Sequence, residues 1–223
     1  MLNNDALGSA VSCIYSFPLE KLRDMSLPGP SAWRLMLPPF IEEAESLALR
    51  QKRGGERDAA VLILLHRGPR GPSFPLLERP EGMRHHPGQI ALPGGGLEPN
   101  ETALDAALRE TREELGVTVT AASVHLSLSP IFVLPSKYLV HPFLACVETP
   151  PNYKLNGGEA SSLFEVPLSS LLDSSSRSTF PLHRKGRTWD VPCFRFGDKI
   201  VWGLTAMILA EFAQLAGSIE KLP

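Results

Sequence analysis

Apolar residues are grouped along the chain in short runs that predict strands. The run AAVLILLH, residues 59–66, has the length and apolar density of a buried strand. A turn rich in Gly and Pro follows it and leads into a second apolar run at residues 74–79, so the two runs predict a β-hairpin. Further strands are predicted at residues 90–92, 124–128, 142–147, 163–166 and 188–196.

Two later segments carry apolar residues at helical spacing instead. One predicted helix begins near Glu101, and another spans about residues 204–215. The apolar stripe of the second helix consists of Leu204, Ile208, Phe212 and Leu215. A further helix is predicted from Pro39 to Arg53, and the serine-rich residues 171–180 are expected to be a solvated loop. Together these elements indicate an α/β fold with a mixed sheet packed between helices.

Composition indicates one main domain without a strong overall charge. The chain has 223 residues, of which 43% are hydrophobic, and its formal net charge is -2. We assign residues 55–223 to the main domain and residues 1–54 to an N-terminal flanking extension that contains a helix. A chain of this charge has no global basic field to hold nucleic acid or an anionic membrane, so no partner of either kind is expected. Any anionic ligand must therefore be bound by groups within a local site.

The cysteines and the N-terminal sequence indicate a cytoplasmic protein. Cys13, Cys146 and Cys193 are widely separated and lack metal-ligand spacing, so we expect them to be reduced. The first residues have neither a cationic start nor a long apolar run, and no segment approaches the length of a membrane span. The sequence leaves the oligomeric state open, with a homodimer as one option.

Residues that could act in catalysis or metal binding are concentrated between Gly95 and Val117. The helix in this stretch contains Glu110, Glu113 and Glu114. Because each residue turns about 100° around a helix axis, these glutamates fall within an arc of about 100°. Leucines and Thr111 cluster on the other side of the helix. The spacing therefore predicts one carboxylate face and one core face.

The carboxylate face predicts a divalent metal site. Like charges on one helix face repel each other, and a bound cation would remove that repulsion. Mg2+ and Mn2+ prefer oxygen ligands, so Glu110, Glu113 and Glu114 are predicted both as metal ligands and as catalytic residues. Arg109 is predicted to orient a glutamate through a bidentate pair and is included among the catalytic residues. The alternative is a surface helix whose acids and arginine are simply solvated.

A glycine turn precedes this helix and is the predicted substrate-binding backbone. At Gly94 and Gly95 the absence of a Cβ lets carbonyl groups approach a metal, or amides approach a phosphate. We therefore assign both glycines to substrate binding.

The ends of the helix are predicted from capping residues. Asn100 is the expected N-cap and Gly116 the expected C-cap. Glu101 would then lie in the first helical turn, where the helix dipole favours an anion. At that position it points about 180° away from Glu110, so we assign it a structural role first and a metal-binding role second.

The stretch resembles the signature of the Nudix hydrolases. Gly95 to Glu101, followed after seven residues by Arg109 to Val117, is similar to the Nudix box at every fixed position. The resemblance implies an α/β/α sandwich, a loop-helix-loop motif and metal-dependent pyrophosphate hydrolysis. Thr111 departs from the pattern, which has a bulky aliphatic residue there.

A narrower resemblance points to coenzyme A pyrophosphatases. Residues 79–95 are similar to the segment that precedes the box in that subfamily, and residues 142–143, 164–168 and 200–206 look like its downstream elements. Residues 75–79 depart from its Leu-Leu-Thr-x-Arg opening. Ser162 stands where an acidic residue is common, with Glu159 or Glu165 as substitutes. The implied products are 3',5'-ADP and 4'-phosphopantetheine.

The only compact basic cluster close to this active segment is formed by Arg84, His85 and His86. It could contact the phosphates of a substrate or stabilise charge during cleavage, and we assign Arg84 and His86 to substrate binding. The alternative is a polar turn, which is the better interpretation for either histidine taken alone. Gly88 and Gln89 are expected to shape the entry to the glycine turn.

The predicted reaction is attack of a metal-activated water on a pyrophosphate phosphorus. The general base is one of the three glutamates or a downstream glutamate. One alternative is hydrolysis of another nucleoside diphosphate derivative, such as ADP-ribose, NADH or a dinucleoside polyphosphate, because the box specifies chemistry and not the leaving group. Another is a non-catalytic nucleotide-binding module. Such a module would tolerate broken metal positions, and none is broken here.

Overall fold

A computed structural model of the chain describes residues 19–41, 57–82, 87–133, 136–158 and 160–219. Its helices are α1 (Leu19–Arg23), α2 (Pro30–Trp33), α3 (Ala103–Leu115), α4 (Leu168–Leu172) and α5 (Gly203–Ile219). Its strands are β1 (Arg57–Gly68), β2 (Gly71–Glu78), β3 (Ile90–Ala91), β4 (Gly94–Gly96), β5 (Val124–Ser127), β6 (Ile131–Val133), β7 (Tyr138–Val147), β8 (Ser162–Pro167), β9 (Arg177–Arg184), β10 (Arg187–Phe196) and β11 (Lys199–Trp202). Short 3-10 turns occupy Arg34–Met36, Ala121–Ser123 and Ser174–Ser176.

The main sheet is built around β1. Its strand order is β3-β2-β1-β7-β5, with β4 paired to β1, β6 to β7 and β8 to β2. Strand β1 runs antiparallel to β2 and β4 and parallel to β7, so the sheet is mixed. A second, three-stranded sheet has the order β11-β10-β9.

The buried residues of β1 alternate between two cores. Leu62 and Leu64 pack in the core that contains the apolar side of α3. Ile63 and Leu65 point to the opposite face and pack in the core that contains α5. Successive side chains of a strand face opposite sides of a sheet, so one strand serves both cores. The result is the α/β/α arrangement expected from the sequence.

The N-terminal described segment is tied to α5 by a buried carboxylate. Leu22 and Trp33 lie in the same core as α5. Glu211 on α5 is fully buried and accepts a hydrogen bond from the backbone N–H of Gly29 at 2.9 Å. It also accepts the N–H of Ser129 at 3.1 Å and the hydroxyl of Ser129 at 2.6 Å. These three donors satisfy the buried carboxylate.

The predicted hairpin and the two long helices are confirmed, with shifted boundaries. Strands β1 and β2 form the hairpin, and α5 extends beyond its predicted end to Ile219. The predicted helix between Pro39 and Arg53 lies largely outside the described residues, and only its first three residues are described, as a turn and a bend.

The prediction of a solvated loop at residues 171–180 is wrong. Leu171 lies within α4 and is fully buried, and Ser176 is buried in the 3-10 turn that follows. Asp173 organises this turn by accepting the N–H of Ser175 at 2.8 Å. Residues 177–180 then pair with β10. The serine-rich segment is an ordered connection, because local hydrogen bonds from side chains to the backbone stabilise it.

Candidate active site

Helix α3 carries the predicted carboxylates, and its N-terminus differs from the prediction. Thr102, not Asn100, is the N-cap, since its hydroxyl accepts the N–H of Asp105 at 3.1 Å. Asn100 has a left-handed φ of 66° and belongs to the preceding turn. Asparagine tolerates that conformation, so the chain turns there before the helix begins. Gly116 is confirmed as the C-terminal cap, with a φ of 68°.

The three glutamates differ in their environments. Glu114 is buried and accepts the backbone N–H of Gly94 at 2.9 Å. The side chain of Glu110 is 16% exposed and that of Glu113 is 44% exposed. The carboxylate face thus runs from a buried end against the glycine turn to an open end at the solvent.

Arg109 joins the loop and the helix through five hydrogen bonds. Its Nε and Nη2 donate to the two carboxylate oxygens of Glu101, at 2.9 and 3.1 Å. Its Nη1 donates to Glu110 at 2.9 Å and to Glu113 at 3.0 Å, and its Nη2 also donates to the carbonyl of Gly96 at 3.0 Å. The predicted bidentate pair therefore exists, and its partner is Glu101.

Glu101 occupies a different position from the predicted one. It lies before α3 and not in its first turn, so the rotation of 100° per residue does not apply to it. Its carboxylate accepts Arg109 and also the N–H of Glu98 at 2.9 Å. The hydrogen bond from Arg109 is the main reason that the pKa of Glu101 lies below its ordinary value.

The glycine turn forms β4 and packs tightly between β1 and α3. A Cβ on Gly94 would lie 2.7 Å from the Cα of Val61, and the φ of Gly94 is 151°. A Cβ on Gly95 would lie 2.5 Å from the carboxylate carbon of Glu110. The backbone of β4 therefore approaches the carboxylate face as closely as glycine permits.

The carboxylate oxygens of the three glutamates are chemically suited to bind a hard divalent cation. Glu110, Glu113 and Glu114 offer carboxylate oxygens beside the backbone of β4, the kind of ligand that Mg2+ and Mn2+ prefer. In the part of the chain that the structure describes, no group of three or more His, Cys, Asp and Glu side chains is close enough to hold a metal ion. Two of the three carboxylates take hydrogen bonds from Arg109 and the third takes one from Gly94. Metal binding would therefore bring these carboxylates closer together, and an ionised carboxylate, with about four lone-pair sites, can keep its protein donor while it binds a cation.

Comparison with known proteins identifies the family. The NUDIX domain matches residues 56–185, which include β4 and α3. The chain belongs to the Nudix hydrolase family. It is 35% identical over 176 residues to a peroxisomal coenzyme A diphosphatase of Caenorhabditis elegans, covering 77% of this chain and 73% of the relative.

Other relatives support the same assignment. The chain is 35% identical over 159 residues to the Nudix hydrolase NudL of Yersinia pestis, covering 71% of this chain and 79% of that protein. The crystal structure of a MutT/Nudix family protein from Enterococcus faecalis superimposes with a TM-score of 0.52 at 17% identity, covering 83% of this chain and 73% of that one. The protein is thus a Nudix hydrolase with the family's fold.

The predicted substrate-binding residues are only partly described. Gly94 and Gly95 lie against the carboxylate face, whereas Arg84 and His86 lie outside the described residues. Arg79 begins the same segment, and its N–H donates to the carbonyl of Gln89 at 3.0 Å. Its Nε is buried, and in the described part of the chain it has no hydrogen-bond partner. This unsatisfied donor was not predicted.

Of the two proposed substitutes for an acid at Ser162, Glu165 is described, and it does not reach the carboxylate face. Glu165 binds His66, with 2.7 Å between the carboxylate and Nε2. His66 lies five residues along β1 from Val61, which pairs with Gly94, so the two positions are about 17 Å apart. Ser162 itself donates to Glu78 at 2.7 Å, and Glu159 lies outside the described residues.

The hydrogen-bonding contact between Asp58 and His141 was also not predicted from the sequence. The two side chains are 2.9 Å apart and lie on neighbouring parallel strands, β1 and β7. They are separated by 83 residues in the chain. Only the register of the sheet brings them together, so a local pattern could not have revealed the pair.

Proposed function

We propose that this Nudix hydrolase cleaves the diphosphate bond of coenzyme A or its derivatives in a reaction that requires Mg2+ or Mn2+. The observation that carries the proposal is the clamp of Glu114 on the amide of Gly94, which holds the glycine turn against the carboxylate face. Such a clamp fixes backbone and carboxylate oxygens on one side of a diphosphate.

Each residue of the site has a distinct role in this proposal. Glu110, Glu113 and Glu114 would hold the metal, which supplies Lewis acidity and an activated water when bound. Arg109 positions Glu110 and Glu113 through its hydrogen bonds and fixes β4 through the carbonyl of Gly96. The turn at Gly94 and Gly95 brings the backbone to the diphosphate without Cβ obstruction.

One observation favours coenzyme A as the substrate, and a second favours a substrate that carries phosphate groups. The Caenorhabditis elegans relative is a coenzyme A diphosphatase. Arg79, at the start of the segment that leads into β4, has a buried Nε without a hydrogen-bond partner among the described residues. A buried guanidinium donor is costly unless an acceptor reaches it, and a substrate phosphate is a suitable acceptor. Arg84 and His86 are proposed to contact the same substrate.

Metal dependence is tested by chelation and by substitution of the carboxylates. We expect EDTA to abolish turnover and Mg2+ or Mn2+ to restore it. Glu113→Gln and Glu114→Gln should each lower kcat by about 100-fold or more, the loss typical of a major electrostatic stabiliser. Glu148→Gln, at an exposed position outside the site, is the control and should leave kcat unchanged. Full activity in chelator would disprove the mechanism.

Substrate identity is tested by chromatography of the products. Coenzyme A, ADP-ribose, NADH and diadenosine polyphosphates are supplied to the enzyme with each metal in turn. We expect coenzyme A to have the highest kcat/KM and to give 3',5'-ADP and 4'-phosphopantetheine. Preference for ADP-ribose or another nucleoside diphosphate would replace the proposed substrate and leave the Nudix chemistry in place.

Arg84 is proposed to recognise the 3'-phosphate of coenzyme A. A charge-assisted contact contributes about 1.5 to 3 kcal/mol, which corresponds to roughly 10- to 150-fold discrimination. Arg84→Ala should therefore lower kcat/KM for coenzyme A by that factor and change hydrolysis of dephospho-coenzyme A little. Equal losses for both substrates would indicate a structural role instead.

Location and assembly complete the proposal. We propose a cytoplasmic enzyme, although the Caenorhabditis elegans relative is peroxisomal, and cell fractionation with peroxisomal and cytosolic markers distinguishes the two. A homodimer is proposed as one assembly state, and sedimentation equilibrium measures it directly.

A further inference from the structure

The β9–β10 hairpin ends in a tight cationic turn. Arg184 and Arg187 pair across the hairpin and enclose Lys185 and Gly186, whose φ angles are 50° and 71°. Two left-handed residues form the turn type that matches the twist of a hairpin, and Asn or Gly usually occupies both positions. A lysine therefore stands where its backbone conformation is unfavourable. We call Arg184, Lys185 and Arg187 the cationic tip.

The cationic tip is positively charged in a chain that is acidic as a whole. Residues 177–196 contain five lysines and arginines and one acid, whereas the formal net charge of the chain is -2. All three residues of the tip are exposed. Among the described residues, no carboxylate lies within 4 Å of any of them. Within the described ranges, the positive charge at the tip is therefore not neutralised by neighbouring acids.

Two aromatic rings hold the arginines of the tip in place. The guanidinium of Arg184 lies 4.4 Å from the ring centroid of Phe40, and that of Arg187 lies 4.0 Å from the ring centroid of Trp189. The two rings contact each other edge to face, with centroids 5.9 Å apart. Stacking on a ring fixes an arginine while leaving its N–H groups free to meet an anion. It also covers a ring face that a nucleobase would need for stacking.

An exposed leucine lies five residues before Phe40 in the segment that packs against β10. The 3-10 turn Arg34–Met36 packs against β10, close to Phe40 in sequence. Its central residue, Leu35, is 60% exposed, the largest exposed fraction among the large hydrophobic residues that the structure describes. Cations, two aromatic rings and an exposed aliphatic side chain thus all belong to the β9–β10 hairpin and the N-terminal segment that packs against it.

We propose that the cationic tip and Leu35 form a docking site for an anionic lipid surface. Anionic headgroups attract lysine and arginine, while aromatic and aliphatic side chains enter the boundary below them. No described helix is long and apolar enough to cross a membrane, so the contact is peripheral. The turn is about 30 Å along β10 from Phe196, which pairs with Lys199 on the strand that packs against β3. Docking through the tip therefore leaves the glycine turn accessible to substrate.

The experiment is co-sedimentation of the full chain with vesicles of two compositions. One is phosphatidylcholine alone, and the other is phosphatidylcholine mixed with phosphatidylglycerol. The tip variant is Arg184→Ser, Lys185→Ser, Arg187→Ser. A control variant, Arg70→Ser, Arg177→Ser, Arg195→Ser, removes the same charge from exposed positions elsewhere. Hydrolysis of a soluble substrate confirms that each variant is folded, since none of these residues belongs to the active site.

The wild-type protein should sediment with the anionic vesicles and not with neutral ones, and added salt should weaken the association. Each cation near such a surface contributes roughly fivefold to partitioning, so the tip variant should lose about 100-fold. The control variant should lose less than tenfold, and Leu35→Ser should weaken binding several-fold even at raised salt.

Three outcomes would overturn the proposal. The first is absence of wild-type binding to anionic vesicles. The second is an equal loss in the tip and control variants, which would indicate net charge alone. The third is tighter binding of the tip to a single-stranded oligonucleotide than to the vesicles, because the partner would then be a nucleic acid.

Discussion

Replacing Gly95 with alanine tests the geometry of the carboxylate face with one methyl group. The new Cβ would lie 2.5 Å from the carboxylate carbon of Glu110, whereas an ordinary contact begins at 3.4 Å. The carboxylate must therefore move by about 1 Å, since it is the end of a flexible side chain and can give way more easily than the backbone. The φ of Gly95 is not left-handed, so alanine is compatible with the backbone there.

A shift of this size has a predictable effect on turnover. Misplacing a reacting group by about 1 Å costs on the order of 100-fold in rate. The movement also disturbs the hydrogen bond between Glu110 and Arg109, now 2.9 Å long. If Glu110 holds the metal, the Mg2+ concentration for half-maximal activity should rise together with the fall in kcat. The melting temperature should change little, because the methyl group displaces a side chain that is not part of either apolar core.

The assay compares Gly95→Ala with Gly157→Ala. A Cβ on Gly157 would have no atom within 4 Å, and its φ is also not left-handed. The control therefore makes the same chemical change without a steric consequence. Both variants are titrated with Mg2+ at saturating substrate, and their products are separated by chromatography. A Gly95→Ala enzyme with kcat and metal requirement close to those of the wild type would refute the position assigned to Glu110.

Three further predictions concern stability and positioning. Glu211→Leu leaves buried donors unpaired and should lower the free energy of unfolding by about 3 to 5 kcal/mol in urea titrations, while Gln214→Ala on the exposed side of α5 should change it by less than about 0.5 kcal/mol. Burial lowers the pKa of His66, but Glu165 raises it by more, so the pKa lies above 6.5. The stability that the pair contributes should be complete below pH 6.5 and be lost as the pH rises through the pKa of His66 in the folded protein. The melting temperatures of wild type and Glu165→Gln should therefore differ at low pH and become similar above that pKa. Arg109→Lys keeps the charge but loses the bidentate pair, so kcat should fall about 10- to 100-fold, and unchanged kcat would show that charge alone suffices.

Local periodicity was sufficient to predict the helix that carries the carboxylates and the central hairpin, but not the strand that carries the glycines. Helix α3 was predicted because its leucines and glutamates separate at 3.6 residues per turn, and β1 and β2 were predicted because they are continuous apolar runs. Strand β4 was missed because its three residues are all glycines, which carry no hydrophobic pattern. Strand β9 was missed because most of its side chains are exposed and its register depends on β10.

The contacts within the site depended on information that spacing does not contain. Helical geometry placed Glu110, Glu113 and Glu114 on one face, but it could not reveal that Glu114 is buried and binds Gly94, because that contact requires β4 to pair with β1. The predicted position of Glu101 was wrong for a related reason. The helix was extrapolated beyond its N-cap, where the rotation of 100° per residue no longer applies. Predictions from spacing are therefore sound inside a regular element and fail at its ends.

The two hydrogen-bonded links between β4 and α3 explain why the site needs both elements in one folded unit. Glu114 holds the first glycine of β4 by its amide, and Arg109 holds the last one, Gly96, by its carbonyl. Arg109 and Glu114 lie about 1.4 turns apart on α3, so β4 cannot rotate relative to the helix without breaking one of the two links. Arg109 further ties this arrangement to Glu101 on the loop between them. The backbone that would face a diphosphate is consequently fixed before substrate binds. The conformational entropy of this backbone is lost during folding and not during catalysis.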